Sequence, residues 1–150
     1  MKLVAFIIGL CLIVLLVPNI VLAQSGSLIN EDIEKSVILL FDSTGSMKDN
    51  NKIESAKIAA KNVFRSGVIN ENDEVALIVF DACDNVIGIR VIQSFTIVKS
   101  DFISMIDSLS PNDGTPLYGA RDFAKNYMLQ NSRGRVKKII MFTDGMETCK

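Results

Sequence analysis

The chain contains no histidine. That absence removes Ser-His-Asp and Cys-His nucleophilic sites, imidazole zinc sites and every histidine general base, so a metal here must be held mainly by oxygen or sulfur. A basic block is missing too: 16 Lys and Arg stand against 17 Asp and Glu, a formal net charge of -1. Nucleic acid and acidic membrane surfaces are therefore not expected partners. There is no internal repeat, no low-complexity tract and no Asn-x-Ser/Thr sequon. What is present is ordinary globular composition, 49% hydrophobic and 22% charged over 150 residues. That is one domain's worth of chain.

The average conceals a split. Leu3 to Val17 is an uninterrupted apolar run of fifteen residues behind Lys2, the only charge in the first thirty. It reads as the hydrophobic region of an export signal, and Pro18 and Asn19 break its helix. Val21-Leu22-Ala23 then offers modest side chains where a signal peptidase inspects the chain, so residues 1–23 are expected to be a signal peptide cleaved after Ala23. The alternative is an uncleaved N-terminal anchor, just long enough to span a bilayer. With Lys2 inside and Glu31, Asp32 and Glu34 following, both readings place the rest outside, secreted or at the cell surface. Membrane contact is expected only through this segment, and Cys11 within it reads as filler. Residues 24–35 form a polar leader without a consistent period.

Beyond the leader, strand and helix signals alternate. Val37 to Phe41 is a continuous apolar run, the mark of a strand buried on both faces, ending abruptly at Asp42. Ile53, Ala56, Ala60, Val63 and Phe64 repeat at helical spacing, with Lys57, Lys61 and Arg65 expected along a solvated face and Gly67 as a stop. Val75–Phe80 reads as a second buried strand, Asp81–Asn85 as a turn and Val86–Ile92 as a third strand. So short a connection makes that pair antiparallel. Helices are expected over Asp101–Leu109 and Pro116–Gln130, with Pro116 at the first helical position, and a fourth strand over Val136–Phe142. Tyr118, Phe123 and Tyr127 are expected to pack on the sheet, and Arg133, Arg135, Lys137 and Lys138 to form a solvated turn and strand start. The pattern predicts an α/β fold: a doubly wound, mostly parallel sheet with helices on both faces and one antiparallel edge strand.

In such a sheet ligands bind beyond the carboxyl ends of the strands, where strand order reverses. Asp42-Ser43-Thr44-Gly45-Ser46 follows the first strand and Thr143-Asp144-Gly145 the fourth. In an extended loop the alternation of Asp42, Thr44 and Ser46 brings three oxygens to one side, and Gly45 permits a tight curl. Thr115 precedes the helix at Pro116 and can turn its hydroxyl inward. Three hydroxyls and two carboxylates make a hard-oxygen set suited to Mg²⁺, or to Mn²⁺ or Ca²⁺. With only two carboxylates nearby, a divalent ion stays electrophilic, so an outside Asp or Glu can fill an open position.

Asp42-x-Thr44-Gly45-Ser46-Met47, Gly114-Thr115-Pro116-Leu117 and Thr143-Asp144-Gly145 together resemble the metal-ion-dependent adhesion site of von Willebrand factor type A domains. The resemblance spans about Ser36 to Lys150 and occurs in the family's order, with Thr44 in place of the commoner serine. It implies that Asp42 and Asp144 act partly through bound water while Thr44, Ser46 and Thr115 approach the ion directly. It also implies a non-catalytic, exported adhesion or binding module whose protein or matrix partner presents an Asp or Glu carboxylate. Cys83-Asp84-Asn85 and Glu147-Thr148-Cys149 resemble the exported bacterial and archaeal branch. Because the family's sheet continues beyond its Thr-Asp-Gly strand, residues 36–150 are expected to form a C-terminally incomplete domain with an open apolar edge.

A Cys83–Cys149 disulfide is expected from compartment: after signal removal these are the only cysteines, and an even count in an oxidising environment usually means a bridge. Two strand spacings, roughly 10 Å, would separate their strands, so loops must close the remainder. Two other readings stand. A Mg²⁺-dependent phosphohydrolase resembling the haloacid dehalogenase family would use Asp42 as nucleophile, yet the general acid needed two residues on is here Thr44. A purely structural type A domain would bind no metal.

Overall fold

The computed structural model describes residues 32–83, 88–112, 114–145 and 149. The expected signal segment, Cys11 and most of the polar leader lie outside the described residues. Among the described residues there are four strands and three α-helices, in the order β1 Lys35–Asp42, α1 Lys52–Arg65, β2 Glu74–Phe80, β3 Ile89–Thr96, α2 Phe102–Asp107, α3 Leu117–Asn131 and β4 Val136–Phe142. A 3-10 segment, Gly45–Asn51, joins β1 to α1. Among the described residues no helix is long and apolar enough to cross a membrane.

The strand order is β3-β2-β1-β4, with β1 parallel to both β2 and β4, and β3 antiparallel to β2 at one edge. This is the doubly wound arrangement expected from the apolar runs. β1 and β2 are buried along almost their whole length because each has a strand on both sides and helices over both faces. Val37, Leu39 and Phe41 face a core closed by Met47, Ile53 and Ala60, with Phe102 and Ile106 of α2 beside them. Ile38 and Leu40 face the opposite core, under Ala120, Ala124 and Met128 of α3. Among the described strands β4 is the other edge, and its Val136 and Ile139 are exposed.

Several local expectations are corrected. β3 runs on to Thr96, because Phe95 continues the alternation of Ile89 and Val91 and stacks on Tyr127 of α3, ring centroids 5.8 Å apart. Of the strand start expected at Val86, residues 86 and 87 lie outside the described residues. Pro116 caps α3 instead of opening it, its carbonyl accepting the Ala120 N–H at 2.8 Å. Lys57 is not on a solvated face: it is 7% exposed, and its ammonium donates to Glu54 at 2.9 Å and to the Asp107 carbonyl at 3.1 Å. Lys61 donates to the Asp107 carboxylate at 2.7 Å, so two cations cover the carboxyl end of α2, where the helix dipole favours them. Tyr118 is exposed, with the Arg121 guanidinium over its ring, and does not pack on the sheet.

At the amino ends of the strands two buried carboxylates tie the sheet together. Asp73 accepts from the Lys35 ammonium at 2.9 Å, the Lys35 N–H at 3.1 Å and the Asn70 N–H at 2.7 Å. Glu74 accepts from Ser36 at 2.7 Å, from the Arg133 N–H and from the Arg133 guanidinium at 3.1 Å. Arg133, expected as a solvated turn residue, therefore anchors the entry to β4. Gly134 lets that entry approach: a Cβ there would lie 2.5 Å from the backbone of Lys35 and Ser36.

At the other end Cys83 and Cys149 are joined, with Cα atoms 5.3 Å apart and an S–S distance of 2.13 Å. The two strand spacings are closed by the loops, as the disulfide reading required.

Two predictions follow from these ties. Burial pushes both Asp73 and Glu74 toward higher pKa, but hydrogen bonds and the paired cations outweigh it and hold both below the usual range. The unfolded chain thus binds these protons more readily, so their stabilisation is complete above the ordinary carboxylate range and lost as pH falls through the lower folded values. The melting temperature should drop steeply below about pH 4, and Glu74→Gln, measured by circular dichroism, should flatten that slope while costing about 1–3 kcal/mol at neutral pH. The disulfide closes a 66-residue separation, so replacing both cysteines by serine should cost about 2–4 kcal/mol in denaturant titration. Peptide mapping without reductant should recover the linked pair, and two freely alkylated thiols in oxidised, folded protein would refute it.

Candidate functional site

The buried strand β1 and the edge strand β4 run parallel and end side by side, with Phe41 paired to Phe142, so the residues that follow them emerge together. Asp42 is the last residue of β1 and is fully buried. A carboxylate there needs donors, and the neighbouring loops supply three. Its Oδ1 accepts from the Thr44 N–H at 3.0 Å and the Thr44 hydroxyl at 2.6 Å. Its Oδ2 accepts from the Thr143 hydroxyl at 2.6 Å. The Thr143 oxygen in turn accepts the Gly145 N–H at 3.0 Å, fixing the turn that carries Asp144.

The expected extended loop is only partly extended. Thr44 has extended backbone, but the chain then turns into the 3-10 segment at Gly45, with the Met47 N–H donating to the Thr44 carbonyl at 3.1 Å. The turn still brings the Ser46 hydroxyl to 3.2 Å from that of Thr44. Because the Thr44 proton is committed to Asp42, Ser46 is the donor in this contact. Two consecutive residues, Asn50 and Asn51, adopt positive φ and redirect the chain into α1.

Thr115 is 2% exposed and lies on a loop docked against the first one. The Asn112 N–H donates to the Ser43 carbonyl at 2.7 Å, and the Ser43 hydroxyl donates to the Ser110 carbonyl. Gly114 has φ +87°, and a Cβ there would meet the Cys83 nitrogen at 2.8 Å and its sulfur at 2.9 Å. The disulfide therefore abuts the loop bearing Thr115 and joins the chain after β2 to the chain beyond Asp144.

Asp144 is tied to a residue that sequence reasoning missed. Its Oδ2 accepts from the Lys52 ammonium at 2.9 Å. That hydrogen bond raises the Lys52 pKa despite some desolvation, and the charges of Asp144, Asp49 and Asp42 add to the rise. Nothing in the order of residues marked Lys52, the first residue of α1, as a neighbour of a loop 92 positions away. Lys52, Thr143 and Asp144 also line an open cleft of about 480 Å³ between α1 and the end of β4. Asp81, another acid at a strand end, is taken up by a salt bridge to Arg90 and does not join this set.

The donor chemistry fits a divalent cation. Among the described residues no group of three or more His, Cys, Asp or Glu could hold a metal. The candidate donors are instead hydroxyls of Thr44, Ser46 and Thr115 with the carboxylates of Asp42 and Asp144. A hydroxyl that donates its hydrogen bond to a carboxylate keeps lone pairs for a cation, and Thr44 is held in that state. The 3.2 Å between Thr44 and Ser46 oxygens is also close to the spacing of adjacent ligands around Mg²⁺, about 3 Å, or Ca²⁺, about 3.4 Å, from their metal–oxygen distances.

Solved structures share this fold. The chain is similar to the vWF domain of the type V pili tip protein Mfa5 from Porphyromonas gingivalis at 25% identity and TM-score 0.59, covering 78% of this chain and 40% of that one. The pilus adhesin SpaC from Lactobacillus rhamnosus GG aligns at 20% identity and TM-score 0.62, over 77% of this chain and 15% of SpaC. The SpRpn10 VWA domain aligns at 12% identity and TM-score 0.56, over 77% of this chain and 62% of that one. Each therefore extends beyond the region shared with this chain. No curated protein matches it. The family model for the von Willebrand factor type A domain matches residues 37–147, a span from the first strand past the Thr143-Asp144-Gly145 turn, and the chain belongs to that family.

Proposed function

We propose that the chain is an exported, non-catalytic adhesion module that holds one Mg²⁺ or Mn²⁺ through Asp42, Thr44, Ser46, Thr115 and Asp144 and binds an acidic group of a protein or matrix partner. The observation that carries this reading is the arrangement around Asp42: a buried carboxylate accepts hydrogen bonds from the Thr44 and Thr143 hydroxyls, leaving Thr44 with Ser46 as paired neutral oxygen ligands. Bound there, the cation would supply an electrophilic position open to an outside carboxylate.

The chain's own residues divide the work. Asp42 fixes the Thr44 rotamer, Thr143 fixes Asp42, and the Ser43–Asn112 hydrogen bond holds the loop of Thr115 against the first loop. Few carboxylates and several hydroxyls keep a cation incompletely neutralised, which favours one more anionic ligand. The likeness to a type V pili tip protein at 25% identity and to a pilus adhesin at 20% supports an adhesive role at the cell surface. The contrast with a phosphohydrolase is at Thr44, whose hydroxyl donates a hydrogen bond to Asp42 and cannot supply a proton near neutral pH where that chemistry needs an acid.

Calorimetric titration of Mg²⁺ and Mn²⁺ into the full chain should show one site, abolished by Asp42→Ala or Asp144→Ala. Undiminished binding in both variants would overturn the assignment, and loss with Asp81→Ala as well would mean the wrong carboxylates had been chosen. Retention on a carboxylate-bearing sensor surface should disappear with EDTA and return with Mg²⁺. Thr115→Ala should weaken it about tenfold, the effect of roughly one lost polar contact, with no loss of folded structure by circular dichroism. Equal retention in EDTA would favour the structural reading.

A further inference from the structure

The salt bridge between Lys52 and Asp144 crosses the candidate site, and its presence changes the site's charge balance. Asp144 is proposed as a ligand shared directly or through water with the cation, yet one of its oxygens already accepts a hydrogen bond from an ammonium at 2.9 Å. The Lys52 side chain is about one-third exposed and that of Asp144 one-tenth, 35% and 10%, so the cationic partner comes in from the solvent side. Asp42 is near enough to act on the same ammonium through space. Lys52 is held there by the backbone: Asn50 and Asn51 at positive φ turn the chain so that α1 starts beside the end of β4.

We propose that Lys52 is a tethered cation with two opposed effects: it competes with the divalent ion for Asp144, and once that ion is bound it makes the site selective for an acidic partner. This rests on the divalent-cation reading above. Asp42, Asp144 and Lys52 together carry a single net negative charge. A divalent ion turns that into a single net positive charge while Lys52 stays nearby, whereas without Lys52 the loaded site would be neutral. The ammonium therefore repels the incoming metal and attracts the incoming carboxylate. A residue whose role was only to pack the start of α1 would have neither effect.

The test compares Lys52→Met, which keeps the apolar stem, and Lys52→Arg, which keeps the charge, with the unaltered full chain. Calorimetry should show Mg²⁺ binding about threefold to tenfold tighter in Lys52→Met, the range of a partly screened charge pair. Retention on the carboxylate-bearing surface, measured at saturating Mg²⁺, should weaken by a similar factor. The rise in melting temperature on adding Mg²⁺ should be larger in Lys52→Met, and Lys52→Arg should behave as the unaltered chain in all three measurements. If the unaltered chain binds Mg²⁺ but Lys52→Met leaves its affinity and the surface retention unchanged, the tethered-cation proposal fails and the metal site stands. Tighter metal binding with no loss of retention would also overturn it, since selectivity is half the claim. If the unaltered chain binds no Mg²⁺, both proposals fall together.

Discussion

The buried carboxylate of Asp42 is the constraint on which the carboxyl end of the sheet depends. Placed at the end of a strand that has neighbours on both sides and helices over both faces, it has no access to water. An unpartnered carboxylate in that position would cost several kcal/mol. Three hydrogen bonds prevent this, two from Thr44 and one from Thr143, and each also fixes a loop. The first loop curls over its own strand end, and the β4 turn is drawn toward it. Satisfying one buried group thus positions the oxygens that surround it.

The polar chemistry is segregated along the strands. At their amino ends Asp73 and Glu74 are closed off by Lys35, Ser36 and Arg133, each oxygen taken by donors from a neighbouring strand or loop. At their carboxyl ends the hydroxyls are arranged around Asp42, and the cleft beside Asp144 is open. The first end holds the strands in register and the second presents chemistry. Parallel strands impose this division, because all their carboxyl ends lie at one edge of the sheet and their connections must cross back over its faces. The Cys83–Cys149 bridge belongs to the second end and joins the chain after β2 to the chain after β4, on either side of the central β1.

Most of the fold was legible in the residues. Val37–Phe41 and Val75–Phe80 are apolar runs and Val136–Phe142 ends in one after Lys137 and Lys138; the structure makes β1 parallel to both other strands. The helical spacing from Ile53 to Phe64 and from Leu117 to Met128 selects the faces that pack. Where reading by residue type went astray, a distant partner was responsible. Lys57 belongs to a basic stripe by spacing, but α2 places the Asp107 carbonyl within its reach. Arg133 lies in a polar turn, but the register of β1 with β2 brings Glu74 beside it. Tyr118 sits one step around the helix from the residues that touch the sheet, so its ring remains in solvent under Arg121.

The candidate site divides the same way. Asp42, Thr44, Ser46, Thr115 and Asp144 could be named from sequence because hard-oxygen donors clustered at strand ends and because their motifs resemble a known family. Local order also determined that Asp42 ends a buried strand and that Gly114 and Gly145 supply positive φ in the turns beside Thr115 and Asp144. Only the tertiary structure decided which groups saturate one another: that Thr143 serves Asp42, that Asp81 is taken by Arg90, and that Lys52 reaches across 92 positions to Asp144. Periodicity and composition report whether a side chain faces the core or water, a property of its own element. Pairings between charges depend on strand order and on how loops close, and those follow from the packing of the whole domain.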